Sequence, residues 1–391
     1  MEELAPHTLS ETVDFSKTGK AARIVSIDAL RGFDMFWIIG GAKFASAILE
    51  MFKTGWAARL SAEFEHSAWN GFTFYDLIFP LFLFIVGLSI PFSLSRFRPG
   101  REHTGGTDYK KAYLRIITRT VYLLLLGFLV NGLLDFEFAE MRWPGVLQRI
   151  AICYFISAII SLHLPERFKF VITGAIIAAI LAGYWAILSF ASIKGAVAAG
   201  DLSPEGNIAG YVDRLLLPGR FCCYGYGDNE GLLSTIPAIG TTLAGVMAGS
   251  LLKSEKTHLF KLKWLLISGI SSLAAGIAAN LTVPVNKILW TSSYVLFSGG
   301  ISILLLCLFY YIIDYKGFKR WSFPFVVIGL NAIAVYVVTI LYDFGLFADV
   351  LVHGFINYLK DARHAFFIFV VIALKWLFVY FLYRKKIFLK V

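Results

Sequence analysis

Long apolar runs, separated by short polar segments, dominate the pattern of the chain. A transmembrane helix needs about 20 mostly apolar residues. Ten runs reach spanning length, at 32–49, 72–94, 112–134, 146–163, 168–190, 232–252, 264–281, 290–313, 323–341 and 365–382. A shorter apolar piece at 346–358 predicts an interfacial or re-entrant segment rather than an eleventh span. The pattern predicts an all-α polytopic membrane protein.

The composition excludes the other broad classes. The 391 residues are 58% hydrophobic and 16% charged, with 36 Phe, 18 Tyr and 9 Trp. Soluble domains are roughly 45–50% apolar and about 25% charged. A soluble domain of this length would expose large apolar patches, and disordered or fibrous chains contain far fewer aromatic residues.

The distribution of positive charge predicts an orientation. The net charge is +10, yet the basic residues are not clustered on a soluble domain, so we expect no nucleic-acid partner. With the N-terminus inside, most of the 36 Lys and Arg residues fall on the cytoplasmic side of ten spans. We therefore expect both termini to be cytoplasmic, with a tail at 1–25, no signal peptide, and a single transmembrane domain at 26–391.

The longest predicted outside segment, at about 191–231, favours an ordered extracytoplasmic lid. It contains many Gly residues, Pro204 and Pro218. A loop of this length is usually functional or disordered. Its acidic residues are Asp201, Glu205, Asp213, Asp228 and Glu230.

The sequence offers few familiar catalytic motifs. The four cysteines show no metal-ligand spacing, and Cys222 and Cys223 are adjacent, which is too close for an ordinary disulfide. There is no nucleotide-binding glycine motif and no nucleophile elbow. We therefore expect no metal, and any chemistry must depend on histidine, carboxylate and amide groups.

Polar residues at the start of the first span have two interpretations. Asp28 and Arg31 are three apart, so they share a helix face and can pair at the cytoplasmic boundary. The alternative is a helix cap with an arginine that extends to the lipid headgroups. Asp34 lies deeper, where a carboxylate is costly and is usually paired or functional.

The densest polar run, at 63–76, precedes the second span. It places His66, Trp69 and Asn70 at the outer mouth, with Asp76 further in. A single interfacial histidine is more often structural. Several polar groups converge here, however, and histidine suits proton transfer near neutral pH.

Further polar clusters occur at 142–149 and 283–290, with Asn331 inside the ninth predicted span. The plain alternative is hydrogen bonding between helices, worth about 0.6 kcal/mol on average. That suits Asn331, but it explains poorly several clusters that largely face one side of the membrane. We therefore expect a site at this side.

These motifs, taken in order, resemble the heparan-alpha-glucosaminide N-acetyltransferase family of membrane acyltransferases. The matching runs are 26–32 (SIDALRG), 66–76 (HSAWNGFTFYD), 143–149 (WPGVLQR), 210–217 (GYVDRLLL), 228–231 (DNEG), 283–290 (VPVNKILW) and 383–388 (YRKKIF). The resemblance implies transfer of acetyl from cytoplasmic acetyl-CoA to the amine of a terminal glucosamine across the membrane. It implies that His66 is the active-site histidine and that Arg119 corresponds to a family arginine.

The resemblance also implies differences from the lysosomal members. The sequence lacks their extra N-terminal luminal domain and first span, which fits a bacterial inner-membrane relative. The acceptor is then an amino sugar or glycan, with N- and O-acetylation both open. Membrane lipids surround the protein, and a homodimer is an oligomeric state that the sequence leaves open.

The enzyme hypothesis assigns three groups of residues. The expected catalytic residues are His66, as general base or acetyl carrier, Asp76 and Asn286. The expected acetyl-CoA site comprises Asp28, Arg31, Arg119, Gln148, Arg149 and Asn331. The expected acceptor site comprises Trp69, Asn70, Arg142, Asp228, Glu230, Lys287 and Trp290.

A secondary transporter of a sugar or organic anion is the alternative function. Buried Asp34, Asp76 and Arg149 would also suit an ion or substrate pathway. The sequence shows no pair of internal repeats, which disfavours a transporter. Release of free thiol from acetyl-CoA without a membrane gradient would favour the enzyme.

Overall fold

The computed structural model describes residues 24–97 and 108–388, and the regular structure within these ranges is helical. The predicted tail at 1–25 lies almost entirely outside the described residues. The helices are α1 Val25–Phe36, α2 Ala42–Glu50, α3 Gly55–Ala62, α4 Ile78–Leu94, α5 Tyr109–Val130, α6 Val146–His163, α7 Lys169–Phe190, α8 Ile208–Leu216, α9 Leu232–Lys253, α10 His258–Ala279, α11 Ser292–Phe309, α12 Phe323–Leu330, α13 Ala332–Leu341, α14 Phe344–Val352 and α15 Arg363–Arg384.

The predicted fold class is confirmed. Within the described ranges, nine helical segments are long and apolar enough to cross a membrane, and the bent pair α12–α13 makes up to ten. The first segment runs Val25–Glu50, so it begins well before the predicted start at 32. Asp28 and Arg31 lie inside the helix, and their charges hide its first turns from a hydropathy pattern. Which face is cytoplasmic stays a prediction.

The predicted span at 323–341 is broken rather than continuous. Its two halves, α12 and α13, meet at an angle of 63°. Asn331 at the junction has non-helical dihedral angles, φ −127° and ψ 33°. Its side-chain Nδ2 donates to the Ile387 carbonyl at 3.1 Å, so the junction is tied to the segment after α15.

The short apolar piece at 346–358 does not form an additional span. It is divided between α14 and a 3₁₀ turn at Ile356–Ala362 that leads into α15. Lys360 in this turn has φ 46°, so the backbone changes direction before the last helix begins. The number of spans therefore stays even when α12–α13 is counted as one span, as the prediction of both termini on the same side requires.

Helix α4 is central, and it packs against α9 through glycines. A Cβ on Gly87 would lie 1.9 Å from the Thr242 carbonyl, and one on Gly245 would lie 2.0 Å from the Phe84 carbonyl. Small residues let membrane helices approach closely. Close approach increases the van der Waals contacts between helices, which matter because lipid provides no hydrophobic driving force for helix association. The α4–α9 crossing therefore fixes the helix that carries Asp76 at its entrance.

Four inter-helix segments meet on one face of the bundle, as the span count predicts. They are 51–73, 131–145, 191–231 and 280–291. The Gly71 amide donates to the Val285 carbonyl at 2.8 Å, and Trp69 Nε1 donates to the Leu202 carbonyl at 2.8 Å. The 191–231 segment contains α8 and is ordered by these contacts rather than forming a loose loop.

The α4–α9 crossing predicts that Gly245→Ala destabilises the protein. The added methyl group overlaps the α4 backbone, and overpacking costs about 1–3 kcal/mol. We expect a lower thermal unfolding midpoint in detergent. Gly183→Ala on α7 is the matched control, because a Cβ there meets no atom within 4 Å. Equal midpoints for the two variants would contradict the close packing.

Candidate active site

His66 and Asp76 form the centre of the site. Asp76 lies in a 3₁₀ turn at Phe74–Leu77, where it completes a capping box with Thr73. Its Oδ1 lies 2.9 Å from His66 Nδ1, and its Oδ2 accepts from the Ser67 amide at 3.2 Å. Because an ionised carboxylate only accepts, His66 Nδ1 carries the hydrogen and Nε2 keeps a lone pair. This is the orientation that a general base requires.

Asp76 is fully buried, whereas about half of the His66 side chain is exposed. The Tyr75 ring stacks on the imidazole with ring centroids 4.7 Å apart. Carboxylate and aromatic contacts therefore fix the ring from two directions while its outer edge stays accessible. Tyr75 is not among the residues predicted from the sequence, although its position beside Asp76 was the available signal.

Lys287 is the second charged group at His66. Its Nζ lies 2.9 Å and 3.2 Å from the two ring nitrogens and 3.4 Å from Asp76 Oδ1. Since Nδ1 donates to Asp76, the amine can donate only to Nε2. Burial lowers the pKa of Lys287, and the Asp76 carboxylate opposes that shift. The Lys287 amine thus lies within hydrogen-bond distance of the Nε2 lone pair.

A cluster of one arginine and two carboxylates lies at the same mouth. Arg142 Nε donates to Asp228 Oδ2 at 2.8 Å, Nη2 donates to Oδ1 at 2.5 Å, and Nη2 also contacts Glu230. Burial opposes ionisation of Asp228, but the hydrogen bonds and charge of Arg142 outweigh it and hold the pKa of Asp228 below its usual value. The same carboxylates raise the pKa of Arg142.

The two adjacent cysteines are joined, which corrects the expectation drawn from their spacing. Cys222 and Cys223 form a disulfide with each other, closing a ring through the intervening peptide bond. The usual separation of Cα atoms in disulfides describes bonds between residues that are not adjacent in sequence, so it does not apply to this ring. Nearby, Trp69 lies against Tyr224 with ring centroids 5.1 Å apart.

These groups surround a cavity of about 260 Å³, the His66 chamber. Residues of the loops between spans form its polar wall, and side chains of the helices form its apolar inner wall. The lining includes His66, Tyr75, Arg142, Cys223, Glu230, Lys287, Met35, Ile38, Phe79, Phe82, Ile150 and Ile333. It offers a polar entrance for one reactant and an apolar interior for another.

A second cavity of about 470 Å³, the arginine vestibule, lies at the opposite end of α4. Five basic residues line it: Arg31, Arg96, Lys111, Arg115 and Arg119. Arg31 donates to Ser89 Oγ at 2.6 Å and pairs with Asp28 at 3.4 Å, which is the first of the two interpretations drawn from the sequence. Phe82 and Ile333 line both cavities, so the two meet at these side chains.

Several predicted site residues lie outside both linings. Asn286 is buried, donates to Asn70 Oδ1 at 3.1 Å and accepts from the Leu289 amide, so it shapes the turn that carries Lys287. Trp290 is buried behind Phe79, with ring centroids 5.2 Å apart. Their predicted roles are therefore indirect in this geometry.

Four of the six predicted coenzyme residues lie outside the vestibule lining: Asp28, which pairs with the lining residue Arg31, and Gln148, Arg149 and Asn331. Arg149 is buried, lies over the Trp290 ring at 4.9 Å and donates to Thr235 Oγ1 at 3.3 Å. The Gln148 side chain lies against Gly127 and Gly145, which sequence spacing could not reveal. Asn331 lies beside two vestibule residues, Leu330 and Ala332, at the α12–α13 break.

The fold and site define a class of protein: a polytopic helical membrane protein with a histidine–carboxylate pair in one of two adjoining cavities. No family model matches the chain. Heparan-alpha-glucosaminide N-acetyltransferase from Homo sapiens is 29% identical over 434 residues, covering 94% of the chain and 60% of that protein. The Mus musculus protein of the same name is 29% identical over 377 residues, covering 82% and 54%.

The resemblance drawn from the motifs is thus confirmed: the chain is similar over most of its length to two heparan-alpha-glucosaminide N-acetyltransferases. It spans about 60% of the length of the human relative.

The Arg142–Asp228 pair predicts a pH-dependent stability contribution. Because its folded-state pKa is lowered, Asp228 stabilises the fold above its ordinary pKa of about 3.9 and loses this effect as pH falls through the folded value. We expect Asp228→Asn to cost roughly 1–3 kcal/mol near neutral pH. Thermal unfolding in detergent should show the gap between variant and parent narrowing below about pH 4.

The matched control is Asp201→Asn, a carboxylate on the same loop whose hydrogen-bond partner is the neighbouring Ser203 rather than a cation. It should change stability and its pH dependence much less than Asp228→Asn does, because no ion pair is removed. A gap for Asp228→Asn that stays constant down to acid pH would contradict the ion-pair argument.

Proposed function

We propose that this protein is a membrane acetyltransferase that moves acetyl from acetyl-CoA, bound at the arginine vestibule, to the amine of an amino sugar at the His66 chamber. The observation that carries the proposal is the shared lining of the two cavities. Phe82 and Ile333 belong to both, so a thin flexible arm held at one end can reach the other. The names of the homologues support the same reaction class.

The vestibule suits the charged end of the donor. Coenzyme A carries a pyrophosphate and a ribose phosphate, and guanidinium groups bind phosphate oxygens in a bidentate way. Arg31 is held by Asp28 and Ser89, and Arg115 donates to Ser93 Oγ at 3.3 Å. The donors therefore lie along one side of α4, and the phosphates need not enter the apolar interior.

The inner wall of the chamber suits the pantetheine arm and the acetyl group. Met35, Ile38, Phe79 and Ile150 line the chamber, which meets the vestibule at Phe82 and Ile333. An apolar lining excludes water from the thioester, which limits its hydrolysis before the acceptor binds.

The chemistry assigns separate roles to the polar residues. His66 Nε2 takes a proton from the acceptor amine, whose nitrogen attacks the thioester carbonyl. The carbon–nitrogen bond forms, the carbon–sulfur bond breaks, and coenzyme A leaves as a thiolate that takes the proton from the His66 imidazolium, which restores the neutral base. Asp76 stabilises the imidazolium. Lys287, as a cation beside the ring, can stabilise the negative charge that develops on the carbonyl oxygen.

The acceptor binds at the polar mouth of the chamber. Glu230 and Arg142 offer an acceptor and a donor to the hydroxyl and amino groups of a sugar. Glucosamine is the simplest acceptor that fits this chemistry. We propose direct transfer in a ternary complex rather than an acetyl-histidine intermediate, because His66 is half-exposed and an acetyl group on it would meet water.

A transporter of a sugar or organic anion is the second candidate, favoured by Asp34. Its buried carboxylate makes no hydrogen bond to any described residue. Intramembrane carboxylates of this kind often mark ion pathways. Purified protein in detergent separates the two functions, because an enzyme releases thiol from acetyl-CoA with glucosamine present and no membrane gradient.

The proposal predicts that His66→Ala loses transfer by roughly 10²–10⁴-fold, the usual contribution of a general base. Acetylated amino sugar is measured by mass, and acetyl-CoA binding should be retained. His353→Ala is the matched control, because His353 is exposed beyond α14 and contacts Asp349 rather than the chamber. Transfer by His66→Ala close to that of the control would refute the assignment.

The role of the vestibule predicts that Arg119→Ala raises the KM for acetyl-CoA by about tenfold or more, the loss expected for a charge-assisted contact. The kcat should change less, which marks lost uniform binding. Arg167→Ala is the control, because Arg167 lies over Phe168 outside the vestibule lining. A rise in the KM of the acceptor instead would show that Arg119 belongs to the other site.

A further inference from the structure

The Cys222–Cys223 ring lies on the loop between α8 and α9, at the polar mouth of the His66 chamber. Cys223 lines the chamber together with Arg142 and Glu230. The other two cysteines, Cys153 and Cys307, are free thiols. The disulfide therefore forms part of the chamber wall, beside two side chains of the expected acceptor site.

Both cysteines contact Asp228 through the backbone. The Cys222 amide donates to Asp228 Oδ2 at 2.9 Å, and Cys223 pairs with Asp228 in an isolated antiparallel bridge. Asp228 in turn holds Arg142 through two hydrogen bonds, and its Oδ1 accepts from the Glu230 amide at 2.9 Å. The shape of the 222–228 turn thus sets the position of both acceptor-site side chains.

The ring also maintains an uncommon backbone conformation. Cys223 has φ 84°, in the left-handed region that residues other than glycine rarely adopt. A covalent ring across one peptide bond leaves the two residues few alternative conformations, whereas two separate thiols would let Cys223 relax to negative φ. Relaxation would move the Cys222 amide and the bridge away from Asp228.

We propose that the Cys222–Cys223 disulfide is a positioning element for acceptor binding: it holds the 222–228 turn so that Asp228 orients Arg142 and Glu230 at the His66 chamber. This inference rests on the proposed function for its kinetic consequence. Reduction by a water-soluble trialkylphosphine breaks the sulfur–sulfur bond and gives two thiols, while the phosphine takes oxygen from water and becomes its oxide. The loosened turn then binds the acceptor more weakly, and the distant arginine vestibule is unaffected.

The test compares oxidised and phosphine-reduced full-length protein in detergent, with transfer from acetyl-CoA to glucosamine measured by mass. Alkylation of Cys222 and Cys223 under native conditions verifies that the ring is open. We expect the KM for glucosamine to rise about three- to tenfold, as one charge-assisted hydrogen bond loosens. The KM for acetyl-CoA should stay within about twofold.

The double variant Cys222→Ser/Cys223→Ser should have the raised acceptor KM and no response to phosphine. Cys307→Ser is the matched control, because Cys307 is a half-buried free thiol remote from the chamber lining, and it should respond like the parent. An open ring with an unchanged acceptor KM would overturn the inference, and so would equal effects on both substrates.

A second measurement does not depend on catalysis. Hydrogen exchange of the backbone amides at 219–231 should increase on reduction of the parent and should not change in the double serine variant. If the oxidised protein transfers no acetyl, the proposed function fails while this measurement still decides the positioning role. Unchanged exchange after reduction would refute that role whatever the activity.

Discussion

The buried carboxylate of Asp76 is the constraint on which the site depends. A charged group with no solvent access must find hydrogen-bond donors from the protein, and each unmet bond would cost about 1–3 kcal/mol or more. Asp76 obtains them from His66, Thr73 and the Ser67 amide, with Lys287 as its nearby cation. The Tyr294 hydroxyl donates to its carbonyl at 2.7 Å. The requirement to satisfy one residue thus draws the 51–73 loop, the 280–291 turn and α11 together.

Helix α4 links this centre to the opposite cavity. Asp76 precedes its first turn, Phe82 lies at the meeting point of the cavities, and Ser89 and Ser93 bind vestibule arginines. The glycine-mediated crossing with α9 leaves α4 little freedom to move. A rigid α4 therefore sets the distance between His66 and the vestibule arginines. This distance must match the length of the acetyl-CoA molecule that is proposed to span it. Movement that opens the passage between the two cavities must therefore come from side chains or from the broken α12–α13 segment.

The number of spans and the side on which each loop lies follow from the hydropathy of the sequence. The partners of individual side chains depend on tertiary contacts, and these could not be predicted. Ten spans place the loops containing His66, Arg142, Asp228 and Lys287 on one face, and the structure brings them into contact there. Arg149 has the same residue type and motif context as Arg142, yet its partners are Thr235 and Trp290 in the interior, which only the packing of α6 on α9 determines. The bend at Asn331 likewise depends on a contact with Ile387, 56 positions away.

Two independent physical arguments predict the same orientation for the His66 chamber. The positive-inside bias predicts that most Lys and Arg residues, and hence the arginine vestibule, face the cytoplasm. Disulfides persist in oxidising compartments, and the Cys222–Cys223 ring lies on the opposite face at the chamber mouth. The charge bias depends on the energetics of membrane insertion, and the disulfide argument depends on thiol redox chemistry. Because the two share no assumption, their agreement supports the predicted orientation more strongly than either argument does alone. It supports a reaction in which a cytoplasmic thioester meets an extracytoplasmic amine between Phe82 and His66.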